Sequence, residues 1–140
     1  MSAILRHIDS LERYAEDNGA RLTRGELPDS VHGRVVEGLI TLRARLSPEQ
    51  ELHALVHELA HWLAHRDEWN RAPSLTRTVY EYEAEAVEAL VMARLGFAPA
   101  GPDAVAGEES WPTDGLLSSS VARVVSTSRR ICRALGLDSD

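Results

Sequence analysis

Hydrophobic residues recur at helical spacing from the start of the chain: Ile4, Leu5, Ile8, Leu11 and Ala15 are separated by charged and polar positions. That period predicts an amphipathic helix over residues 2–17, inside an N-terminal segment 1–19 that Asn18-Gly19 brings to a stop. Residues 20–46 change character, with short β-branched and aliphatic runs punctuated by Pro28, Gly33 and Gly38. They predict a small sheet, with Glu37-Gly38 closing a tight hairpin between Arg34–Val36 and Leu39–Arg43. Ser47-Pro48-Glu49-Gln50 then marks a helix start: an N-cap serine, a proline at the first helical position, and a glutamine placed to complete a capping box. The helix is expected over 47–66, running to about His65. A second long periodic segment covers 75–97 and ends at Gly96. Residues 98–114 are rich in Pro, Gly and Ala, have no period, and read as a loop in which Trp111 is the one large aromatic. A last helix over 115–136 aligns Leu117, Val121, Val124, Val125, Ile131 and Leu135 and stops at Gly136. The expected fold is α+β: about four helices packed on a two- or three-stranded, mainly antiparallel sheet, in one domain spanning 1–140.

The chemistry is concentrated in His57-Glu58-Leu59-Ala60-His61, an HExxH pattern on a segment whose cap independently predicts a helix. Two histidines four residues apart lie on one helix face, so both imidazoles reach one zinc ion, while Glu58 is placed to act as general base on a water held there. The neighbours Leu55, Val56, Leu59 and Leu63 put the motif on a buried helix. His53 and His65 extend the pair to a ladder of four. At about 1.5 Å rise per residue these two lie about 18 Å apart along the axis, and nitrogens on one tetrahedral ion must lie within about 3.5 Å of each other. Only one adjacent pair fits, and the glutamate after His57 selects His57 with His61. His53 and His65 read as partly exposed histidines or as supports behind the ligands.

A catalytic zinc site takes a third protein ligand, and the helix over 75–97 offers Glu81, Glu83, Glu85 and Glu88. With Val79 as origin and about 100° per residue, Glu83 falls at roughly +40°, inside the apolar arc, while Glu81 and Glu88 fall at about 180–200°. A carboxylate on a buried stripe requires neutralisation. Glu83 is therefore the expected third ligand; the competing reading pairs it with an arginine such as Arg94. Glu85 is a candidate to brace a ligand histidine. Tyr80, Tyr82, His53 and His65 are candidates to stabilise an oxyanion, and the tyrosines also suit simple packing.

Composition narrows the partners. The chain has 140 residues, 44% hydrophobic and 26% charged, the mix of a folded domain rather than a disordered tail. Fifteen basic against 22 acidic residues give a net charge of −7 and pI near 5.3, the wrong sign for phosphate-backbone attraction. Arg123, Arg129, Arg130 and Arg133 in the last helix read as a solvated face, and direct nucleic-acid binding is not expected. No apolar run approaches the roughly 20 residues of a membrane span. Arg6, His7, Asp9 and Ser10 interrupt any signal-like stretch. Cys132 has no partner for an internal disulfide, lies within an apolar pattern and reads as core, and a cytoplasmic location is expected.

LHALVHELAHWLAH followed by YEYEAEAVEALVMARLGF resembles the zinc metallopeptidases of the ImmA/IrrE type, and the metallopeptidase domain of ArdC-type antirestriction proteins. The shared pattern is HExxH on one helix and an E-x-E-A segment opening the next, over roughly residues 47–97. The resemblance implies a minimal gluzincin-like core, with zinc on His57, His61 and Glu83 and Glu58 as base. It further implies a cytoplasmic metalloendopeptidase of bacteria or their phages and mobile elements, one whose protein substrate is often a DNA-binding repressor. The usual asparagine after E-A is Glu85 here, and nothing in the sequence resembles the ArdC-type DNA-binding part, so antirestriction is not expected. Substrate is expected to lie extended along the sheet edge beside the metal. The alternative is a catalytically silent, zinc-containing protein-binding module, which would have no use for Glu58.

Overall fold

The computed structural model describes residues 2–66, 72–97 and 115–137. The first helix, α1 (Ala3–Asp17), is capped by Ser2, whose side chain accepts the amide of Leu5, and buries Ile8, Leu11 and Ala15. Three strands follow: β1 (Arg21–Gly25), β2 (Gly33–Val36) and β3 (Leu39–Arg43). Then come α2 (Pro48–Ala64), α3 (Ser74–Arg94) and α4 (Gly115–Ala134). The expected loop over 98–114, with Trp111, lies outside the described residues, as does the side chain of Leu117.

Glu37-Gly38 forms the anticipated two-residue hairpin, joining β2 to β3 with Val36 paired to Leu39. Both turn residues have positive φ, 50° at Glu37 and 84° at Gly38, the turn type that matches strand twist and favours glycine. β3 is the central strand, antiparallel to β2 and parallel to β1, in the order β1-β3-β2. The sheet is therefore mixed, with one pair of each kind. The parallel pair arises because the chain leaves β1, runs through 26–32, and makes the hairpin so that β3 returns beside β1. The Arg43 side chain ties that connection down, donating to the carbonyls of Val31, Leu27 and Pro28.

β2 is left at an edge, which bears on the site below. Ile40 and Leu42 of β3 are fully buried and face Leu52, Leu55, Val56 and Leu59 of α2 in one core. α2 runs through the centre of the molecule, packing against α1, β2, β3 and both later helices. Its start is the anticipated capping box, with Ser47 accepting the Gln50 amide at 3.2 Å and Gln50 accepting the Ser47 amide at 3.0 Å. Val124, Ile131 and Cys132 of α4 complete the core. No helix among the described residues is long and apolar enough to cross a membrane.

Candidate metal centre

The HExxH segment occupies the middle of α2, where Leu55, Val56, Leu59 and Ala60 anchor one side in the core. The other side carries His57, Glu58 and His61 into a cleft of about 910 Å³ walled by β2 and the residues leading into it. α3 runs antiparallel along α2 and meets the four-histidine ladder with a ladder of carboxylates. Glu88 binds two rungs, with Oε2 at 2.7 Å from His53 Nδ1 and Oε1 at 3.0 Å from His57 Nδ1. Glu81 binds His57 from the other side, with Oε1 at 2.5 Å from Nε2, and places Oε2 at 3.5 Å from His61 Nε2.

His57, His61 and Glu81 each offer a ligand atom within 4.8 Å of the others, the one such group of three or more among the described residues. Two imidazoles and one carboxylate form the donor set suited to zinc in hydrolytic sites. The electrostatics agree. Burial disfavours charge on His57, yet hydrogen bonds to Glu81 and Glu88 outweigh it and raise its pKa to about 10. Burial likewise works against charge on Glu81 and Glu88, and their histidine partners nonetheless hold both below the usual carboxylate range. In effect, His57 carries a proton between two carboxylates, where a divalent cation would supply positive charge in its place.

At the third position the structure groups Glu81 with the histidine pair, where helical phase had pointed to Glu83. Glu83 is buried at 1% exposure, as its place in the apolar arc requires, but other partners surround it. Its carboxylate accepts from Ser120 Oγ at 2.6 Å, from Arg123 Nη2 at 2.8 Å and from His65 Nε2 at 2.8 Å. The neutralising arginine comes from α4, and is not Arg94. Burial alone would raise the Glu83 pKa, but these partners lower it to about 2. Glu81 is the carboxylate beside the histidine pair, on the polar rim between α2 and α3 and outside the stripe that faces the core. Part of its signal lay in the sequence, since Glu81, Glu85 and Glu88 share a face at i, i+4 and i+7, but that this face meets the histidine ladder depends on how α3 packs on α2. Glu85 lies toward the surface; partial desolvation and the charges of Glu81 and Glu88 raise its pKa despite His57, and the hydrogen bonds of His57 and His61 go to other partners.

Glu58 is 8% exposed and reaches the cleft beside this group. Burial pushes its pKa up to about 7, with Glu81 and Glu88 adding to the rise and His57 opposing it. Sequence reasoning gave no role to Gly33 of β2. A Cβ built there would stand 3.0 Å from Glu58 Cγ and 3.3 Å from Leu42 Cδ2, so the strand approaches the glutamate this closely because it has no side chain at that point. Among the oxyanion candidates, Tyr80 stacks on the His65 ring at 4.0 Å between centroids and His53 is tied to Glu88.

No curated protein and no solved structure is a match for the chain. A model of the IrrE N-terminal-like domain family, a metallopeptidase-type family, matches residues 15–117, from the end of α1 into the start of α4. With the match extending over most of the chain and spanning both helices of the His/Glu cluster, this protein belongs to the IrrE N-terminal-like domain family.

Proposed function

We propose that this domain is a zinc-dependent endopeptidase acting on a protein substrate, with zinc on His57, His61 and Glu81 and with Glu58 as general base. The observation that carries the reading is the convergence of two imidazole nitrogens and a carboxylate oxygen within 4.8 Å, beside a buried glutamate and open to a cleft. Zinc, when bound, supplies acidification of a water and polarisation of the scissile carbonyl. Glu58 takes the proton from the attacking water and delivers it to the departing amine, so no proton is lost or gained in the cycle. Glu88 accepts from His57 Nδ1 and keeps that ring turned with Nε2 toward Glu81.

The β2 edge walls the cleft, which supports an extended substrate lying beside it with backbone hydrogen bonds to the strand. A DNA-binding regulator in the bacterial cytoplasm is the substrate class to which the likeness to ImmA/IrrE-type peptidases points.

Metal content by plasma mass spectrometry, read beside cleavage of an unfolded protein substrate, tests the reading. Wild type should carry one zinc per chain, and His61→Ala and Glu81→Ala should lose most of it. Glu58→Gln should keep zinc and lose about 10²–10⁴-fold in turnover, the range for removal of a general base. Full zinc in Glu81→Ala with loss in Glu83→Ala would return the third-ligand role to Glu83. A wild type that holds zinc and cleaves nothing would favour the silent protein-binding module.

A further inference from the structure

His65 and Glu83 lie behind the cluster, each 1% exposed, and take no part in the steps above. They are linked to it in one unbroken line. His61 Nδ1 is 2.9 Å from His65 Nδ1, and His65 Nε2 is 2.8 Å from Glu83 Oε1. Glu83 also accepts from Ser120 Oγ and from Nε and Nη2 of Arg123. Every donor around Glu83 points at an oxygen, so the far end of the line accepts and cannot donate. Polarity then propagates. His65 must carry its hydrogen on Nε2 to satisfy Glu83, which leaves a lone pair on His65 Nδ1. That lone pair accepts from His61 Nδ1–H, so a neutral His61 keeps its lone pair on Nε2, whose 3.5 Å separation from Glu81 Oε2 is longer than either link behind it. Tyr80, stacked on His65 at 4.0 Å, keeps the ring from turning over.

We propose that His65 and Glu83 are positioning residues that select the His61 tautomer whose Nε2 lone pair can bind metal. The inference rests on the metal-site reading above and goes beyond its ligand set. It also accounts for the fourth histidine of the ladder, which transmits the hydrogen-bond direction imposed by α4 through α3 to α2.

The test is the tautomeric state of His61 and His65, read from long-range 1H–15N spectra of the metal-free wild-type protein. Expected are pyrrole-like Nδ1 on His61, and pyridine-like Nδ1 with pyrrole-like Nε2 on His65. A hydrogen on His65 Nδ1 would overturn the proposal without any variant having to fold. Glu83→Gln supplies the perturbation, because an amide that keeps its oxygen toward Arg123 and Ser120 turns its NH2 toward His65. Both histidines should then move toward the opposite tautomers, and the zinc Kd should rise by about 10–100-fold, as when other supports behind metal ligands are removed. Unchanged tautomers and an unchanged Kd would sink the idea. A wild type that shows the expected tautomers but takes up no zinc refutes the metal site and leaves the relay standing. One that binds zinc with His65 Nδ1 protonated does the reverse.

Discussion

At the scale of single residues, the closest fit in the site is between Gly33 and Glu58, where a methyl group would stand 3.0 Å from Cγ. Gly33→Ala should displace the glutamate by a few tenths of an ångström and leave the histidines alone. Turnover is therefore expected to fall while zinc content stays at the wild-type value, and loss of zinc in this variant would contradict the placement. The overpacking should cost roughly 1–3 kcal/mol, readable by chemical denaturation. Cys132 is 4% exposed, and burial raises its pKa above the ordinary thiol value of 9.0 despite the nearby Arg94. A thiolate forms only as pH rises past that raised value, so alkylation at pH 8 should be slow in the folded protein and fast in denaturant. Rapid labelling of the native chain would count against this burial. Its place in the core was legible from apolar spacing. The difference between Glu81 and Glu83 was not, because a phase angle reports which side of a helix is buried and says nothing about whether Arg123, from forty residues further on, has already neutralised the carboxylate.

At the scale of elements, α2 owes its register to its first turn. Ser47 and Gln50 satisfy each other's amides, and Pro48 needs no partner for a hydrogen it lacks. Ser47→Ala should cost about 0.5–2 kcal/mol, with the midpoint of denaturation as the readout. The capping box and the hairpin were readable in the sequence because each is complete within a few residues. The parallel pairing of β1 with β3 was not, since it depends on Arg43 holding the 26–32 connection by three backbone carbonyls. Nor was the meshing of the histidine and glutamate ladders, which requires knowing that α3 runs antiparallel to α2 and which faces touch.

At the scale of the molecule, a ligand that binds only the folded state stabilises it in proportion to the logarithm of its concentration over Kd. Zinc at about 100 times its Kd should add about 2.7 kcal/mol and raise Tm, and a chelator should reverse the shift. No change in Tm would argue against a site shared between α2 and α3. The arginines of α4 illustrate how charge is used internally. Arg123 is bound to Glu83, and Arg130 donates to Tyr14 and to Asn18 at 3.1 Å each. Two of the four α4 arginines, Arg123 and Arg130, are thus bonded to other helices or to the turn after α1.

The hairpin that closes at Glu37-Gly38 has a consequence for selectivity on the proposed reading. It ties the cleft wall, β2, to β3, whose Ile40 and Leu42 are sealed in the core. That wall cannot swing outward without shearing the hairpin and opening the core, so the burden of adaptation passes to the substrate. A polypeptide has to present a stretch already free of its own secondary structure, and the native architecture of a target would shield every bond it keeps folded. Which proteins are cut, and when, would then be decided by where the target frays.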